Sequence, residues 1–445
     1  MSNDRKIYKP GPIRGFPEWL PEERLVEQKW FDHIRNVFES YGFCSIETPS
    51  VEEIDVLTAK GEVDKEIYVI ERLHKDDSDK SEARLALHFD QTVPFARYVA
   101  MRFNDLVFPF KRYQIQRVWR GERPQAGRFR EFYQCDIDVI GVDALPMHFD
   151  AEMPAVMWEI LTGLPGMENE KIQMQISNRK VLLGLLAHLG IKDAVKYTTF
   201  IDKMEKIGID AVKAGLKLNL RLDELSEDIA DKILHLASIK TSDAVTLRAE
   251  IAKLGINDES FNIGVEELAF VLESLKGLPK DAIVADLSIV RGLDYYTGTV
   301  YETRFLDDPT YGSICSGGRY DDLASGYINK HLPGVGISIG FSRLFAKMIE
   351  KGTLNTTQKS PADLMMIMPS EDRRGEILAL CQGLRKRGIK VEMYHAARKI
   401  PDQLKYAAKK GIPYVWFPDE DGHKIKNMLT QEQGPADPAT WERPQ

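Results

Sequence analysis

Seven basic residues, Lys111, Arg112, Arg117, Arg120, Arg123, Arg128 and Arg130, fall within twenty positions that hold a single acid, Glu122. Two further arginines stand apart from them, Arg291 in VRGLDYYTGTVYE and Arg343 in GFSRL. Arginine carries a permanent charge on a planar fork that matches phosphate oxygens. Phosphoryl and nucleotidyl transfer need such charge fixed where oxyanion charge develops. A charge run on its own is usually a solvated face, so its neighbours matter. Just after the cluster, Tyr133, Cys135, Ile137 and Val139 alternate with Phe132, Gln134, Asp136 and Asp138. Side chains alternate across a strand, so the first set is a core face. The second set puts an amide and two carboxylates in mid-sheet, where burial is costly unless they are paired. It is either an exposed sheet face or the floor of a ligand pocket.

Holding these groups takes a hairpin, a sheet and supporting helices. Residues 111–120 and 129–140 read as strands, joined by the polar loop GERPQAGR. Residues 25–41 carry Trp30, Phe31, Ile34 and Phe38 at helical spacing, with Gly42 as a stop signal. GVGISIG (334–340) reads as a strand entering a helix packed by Phe341, Leu344, Phe345 and Met348, with Arg343 on its first turn. Residues 180–280 form a helical insertion without a catalytic cluster. The chain of 445 residues is too long for one core. The expected parts are 1–179 and 281–350 as a two-piece α+β core, 351–362 as a polar linker, and 363–445 as a βαβαβ unit ending in a loose tail. The class is α/β.

Composition narrows the function. At 43% hydrophobic and 29% charged residues, the chain is globular rather than disordered. No run of about 18 apolar residues predicts a membrane span, and the polar N-terminus shows no signal core, so a cytoplasmic location is expected. Four scattered cysteines, Cys44, Cys135, Cys315 and Cys381, form no CxxC pair, so neither a zinc site nor a disulfide framework is expected. The net charge of −8 does not bar nucleic acid, because phosphates respond to local patches. Neither GxxxxGK[ST] nor GxGxxG after a strand is present.

RVWRGERPQAGRFREFYQCDIDVIG resembles motif 2 of class II aminoacyl-tRNA synthetases in its histidyl form. IVRGLDYYTGTVYE and SGGRYDDLA resemble the two histidine motifs of histidyl-tRNA synthetases, GISIGFSRL resembles motif 3, and YGFCSIETPSVEEI resembles motif 1. ARKIPDQLKYAAKKG is similar to the anticodon-binding domain, so the resemblance spans nearly the whole chain. It implies an antiparallel class II sheet, a helical insertion and a C-terminal α/β anticodon-binding domain. It implies activation of L-histidine by ATP with Mg²⁺, transfer to tRNA(His), and a homodimer built through motif 1. Carried to this chain, Arg120, Glu122 and Arg343 would bind ATP, and Arg120 and Arg291 would be catalytic at the α-phosphate. Asp90, Thr92 and Gln134 would hold the α-amino group. Asp138, Tyr296 and Tyr320 would read the imidazole, with Arg128 near the adenylate. Arg123 and Gln125 would meet the tRNA acceptor end. No protein side chain is expected to hold a metal. The chain departs from the pattern at His88, where arginine is common, and at Asp138, where many bacterial members have glutamate.

Two relatives of other classes share such motifs: a regulatory subunit of ATP phosphoribosyltransferase and a kinase-linked sensor of uncharged tRNA. The first typically lacks the C-terminal domain and an intact RGLDYY motif. The second would carry kinase signatures, and none is recognisable here.

Overall fold

The computed structural model describes residues 8–58, 67–74, 84–125, 127–290, 296–321 and 324–444. The chain divides into two compact units, Met1–Pro17 with His33–Met348, and Glu18–Asp32 with Ile349–Gln445. The first helix, Pro21–Ser40, buries Trp30, Ile34 and Phe38 completely. Gly42, at φ +79°, ends it in the left-handed region that glycine enters without a Cβ penalty.

Among the described residues the larger unit holds a nine-stranded sheet. Its order is Cys44–Ser45, Phe110–Trp119, Glu131–Ile140, Gly334–Ile339, Cys315–Tyr320, Thr299–Phe305, Ile172–Asn178, Ile283–Asp286 and Lys240–Thr241. Only the first pair and the Ile172–Asn178/Ile283–Asp286 pair are parallel. The sheet is therefore dominated by antiparallel ladders, as expected of the class II core. Cys135, Ile137 and Val139 have no exposed surface, and the helix His148–Gly163 packs on neighbouring strands through an almost continuous apolar run. The helix Phe341–Lys351 buries the predicted stripe Phe341, Leu344, Phe345 and Met348.

Seven helices run from Arg179–His188 to Glu259–Ser274 among the described residues. Asn178, Asp193, Asp243 and Asp258 cap four of them, each side chain accepting a backbone N–H two or three residues on. This region is not purely helical, because Lys240–Thr241 joins the sheet edge. Two residues give too little alternation to read as a strand.

The smaller unit carries three parallel strands, Val391–Met393, Leu364–Met366 and Tyr414–Phe417, extended by antiparallel Lys424–Asn427 and Gln433–Pro435. The helices Arg374–Lys386 and Ile400–Lys410 complete it. The predicted loose tail is structured: Trp441 meets Trp416 edge-on at 5.9 Å and Arg443 reaches Asp363 at 2.5 Å. The polar segment before the unit is also tied to it, with the Lys359 N–H donating to the Lys410 carbonyl at 2.8 Å. Among the described residues no helix is long and apolar enough to cross a membrane.

Candidate active site

The floor of the site is the Glu131–Ile140 strand, flanked by Phe110–Trp119 and Gly334–Ile339. Antiparallel register places Arg112, Asp138 and Gly336 in one row, and Gln114, Asp136 and Ser338 in the next. Two glycines clear the space above. A Cβ on Gly336 would lie inside the Asp138 carboxylate, and one on Gly334 inside the Tyr320 ring. Glycine within a strand marks such close approaches.

One cavity of about 260 Å³ is lined by Arg120, Glu122, Arg128, Phe132, Gln134 and Arg343, among others. The Arg120 guanidinium lies 5.2 Å from the Phe132 ring centre and donates through Nε to the Phe89 carbonyl at 3.0 Å. These contacts fix its head before any ligand arrives. Arg128 reaches Glu122 at 3.2 Å. Arg343 lies over Tyr311 at 4.9 Å and donates through Nη1 to the Ser313 carbonyl at 3.2 Å. Gln134 donates to the Ser338 hydroxyl at 2.9 Å. Three arginines facing one cavity suit a polyphosphate.

A smaller polar cavity of about 40 Å³ adjoins it, sharing Ser316 and Ser338. It is lined by Thr92, Asp136, Asp138, Tyr296 and Tyr320. The Tyr320 hydroxyl donates to Asp138 Oδ1 at 2.9 Å, and Arg112 Nη2 stands 2.5 Å from Oδ2. Arg112 is wholly buried and lies 4.2 Å from the Phe95 ring centre. Asp90 accepts the Val93 N–H at 3.2 Å and interacts electrostatically with Arg120, Arg112 and Asp138. Burial raises Asp90 to about 6, although part of it stays accessible, and the Val93 bond and the two arginines oppose the rise. Burial raises Asp136 to about 7, against the pull of Arg112 and the Ser338 hydroxyl. Asp138 is raised by burial too, again opposed by Arg112 and Tyr320. Burial and the acids push the Tyr296 and Tyr320 phenols far up, so both stay protonated donors.

Not every expected residue joins these cavities. Arg123 and Gln125 are exposed on the hairpin loop, where Gln125 and Arg128 close a tight turn. Arg291 lies outside the described residues. The basic cluster is not a uniform patch. Arg112 is a buried counterion, Lys111 pairs with Glu152, and Arg117 lies 3.2 Å from Glu131. His88 packs 5.6 Å from Trp119 and donates through Nε2 to the Arg117 carbonyl at 2.7 Å. Burial lowers its pKa and outweighs the opposing pull of that bond and of Glu52, so it stays neutral.

The sequence profile described as histidyl-tRNA synthetase matches residues 15–344. The chain belongs to the histidyl-tRNA synthetase family. A histidine–tRNA ligase of Thermobifida fusca is 55% identical over 444 residues, covering 99% of both chains. One of Cutibacterium acnes is 42% identical over 448 residues, covering 97% of this chain and 96% of its own. The crystal structure of the histidyl-tRNA synthetase from Nostoc sp. PCC 7120 matches with a TM-score of 0.85 at 37% identity, covering 97% of each chain. Within this histidyl-tRNA synthetase fold, sequence reasoning overlooked Arg112 as a counterion and Gly336 as a clearance. Strand glycines in CSGGRY and GVGISI were the available signal for the second.

Proposed function

We propose that the chain activates L-histidine with ATP and transfers it to the 3′ end of tRNA(His). The observation that carries this reading is the pair of adjoining cavities: three arginines stand at one, and buried carboxylates with protonated phenols at the other. A polyphosphate fits the first and a small donor-rich side chain the second.

Arg120 and Arg343 hold ATP phosphates, with Glu122 beside the nucleotide and Arg128 at the adenylate. Gln134, Thr92 and Asp90 take the α-ammonium. Asp138, Tyr296 and Tyr320 read the imidazole. The histidine carboxylate attacks the α-phosphorus in line and pyrophosphate leaves. Arg120 and Arg291 stabilise the charge that develops there. Positioning and electrostatics suffice, so no activated nucleophilic side chain is needed. Mg²⁺ arrives with ATP. Arg123 and Gln125, exposed on the loop, meet the tRNA acceptor end. The chain works as a cytoplasmic homodimer. Residues 363–445 contact the anticodon stem. Some basic heads there serve the unit itself, since Arg385 donates to the Val391 carbonyl and Lys410 pairs with Glu392.

A histidine-dependent ATP–pyrophosphate exchange assay tests the reading. Exchange with histidine and with no other amino acid is expected. A regulatory subunit or a tRNA sensor would be silent.

A further inference from the structure

The family resemblance gives Asp138 the task of reading the imidazole. In this structure both Asp138 oxygens are already engaged, Oδ1 by the Tyr320 hydroxyl at 2.9 Å and Oδ2 by Arg112 at 2.5 Å. One strand pleat away, Asp136 differs. It is only 4% exposed, and among the described residues its Oδ1 has no hydrogen-bond partner. Buried polar atoms in native proteins are overwhelmingly paired, because an orphan forfeits its hydration without replacement. An orphan that lines a cavity marks where a ligand supplies the missing bond. Asp136 lines the small cavity together with Asp138, Tyr296 and Tyr320, and does not line the arginine-bearing one.

We infer that Asp136 is a further substrate-contacting residue, whose Oδ1 accepts a hydrogen bond from an imidazole N–H of bound histidine. This rests on the functional reading above. Charge balance favours it. Asp90, Asp136 and Asp138 interact electrostatically with one another, and Arg112 is the cation they share. The pocket is rich in acceptors and short of positive charge. Histidine brings an ammonium group and a ring that can donate from both nitrogens when protonated. A ring without a second N–H leaves one buried carboxylate unpaired, so Asp136 sharpens selectivity as well as affinity. Burial, which holds Asp136 at about 7, keeps its proton available for exchange with the incoming ring.

The test compares the full-length wild type with Asp136→Asn and Asp136→Ala in pyrophosphate exchange and in equilibrium binding of ATP. The histidine KM should rise on the order of 10- to 100-fold, the range for a lost bond to a charged group. The ATP KM and Kd should stay within about twofold, since Asp136 does not line the cavity that holds Arg120 and Arg343. A second ligand separates contact from packing. 1,2,4-Triazolylalanine keeps the ring shape but is far less basic, and the wild-type preference for histidine over it should shrink in Asp136→Asn. A histidine KM within about twofold of wild type, an equal rise for ATP, or equal losses for both ring ligands would overturn the assignment. A wild type silent with histidine would sink the functional reading instead, so the two failures are distinguishable.

Discussion

Substituting Asp136 should change the pH dependence of folding in a direction opposite to the usual carboxylate. Asp136 sits at about 7 in the folded chain, against an ordinary 3.8. A carboxyl group whose pKa is higher folded than unfolded binds a proton on folding between those two values. Stability is therefore fully present below the unfolded value and falls as pH rises towards the folded one. Each pH unit in that window is worth about 1.4 kcal/mol, so the full loss by pH 8 is about 4 kcal/mol as a ceiling. Burial raises this value most, Arg112 and the Ser338 hydroxyl pull it back, Asp138 and Asp90 add to the rise, and Tyr296 and Cys315 also interact with the group. Asp136→Asn leaves their charges in place and removes one titration. The assay is denaturant unfolding of ligand-free wild type and Asp136→Asn from pH 4.5 to 8, following the transition of the larger unit. The variant should gain stability relative to wild type steadily across pH 4.5 to 7, by up to about 3 kcal/mol, and then level off. Parallel stability curves across this range would refute the claim that an ionised Asp136 is costly, and a relative loss would reverse its sign.

Arg291→Ala should cut pyrophosphate exchange on the order of 10²–10³ while histidine binding stays near normal, and near-normal exchange would remove Arg291 from the chemistry. Asp138→Ala should raise the histidine KM with little change for ATP, whereas equal changes would mark a structural role. Gly336→Ala should do the same through a single methyl, because its Cβ would occupy the Asp138 carboxylate; full activity in the folded variant would contradict the register. Trp416→Ala should destabilise the smaller unit by about 3–5 kcal/mol and leave exchange intact, read as an early melting step that does not accompany loss of exchange.

Much of this site was legible because strands announce themselves by alternation. Gln134, Asp136 and Asp138 share the face away from Cys135, Ile137 and Val139, as period two requires. The helix entered by GVGISIG was equally clear, since four apolar residues at helical spacing all had to be buried. Charge was harder to read. Arg112 stands in the same basic run as the exposed Arg123, and a run cannot say which member turns into the core. That depends on what covers each face of the hairpin, here Phe95 over Arg112, and such packing is a long-range property. The final strand and Trp441 escaped for a related reason. A three-residue edge strand carries almost no pattern, and the aromatic that holds the tail acts through tertiary contacts with Trp416 and Tyr414.

The rows that cross the sheet have a consequence for how substrate preference could change over generations. Arg112, Asp138, Gly336 and Gly318 lie on one transverse line, and Gln114, Asp136, Ser338 and Ser316 on the next. Each line is contributed by two antiparallel strand pairs, distant from each other in sequence but locked side by side by the ladder. A lone exchange on a line leaves its neighbours shaped for the old occupant: a longer acid at 138 needs the vacancy at 336, and an uncharged residue there strands the guanidinium at 112. Viable drift should therefore proceed by whole lines. Covariation among descendants should link the two strand pairs across each line more tightly than adjacent positions within any one strand.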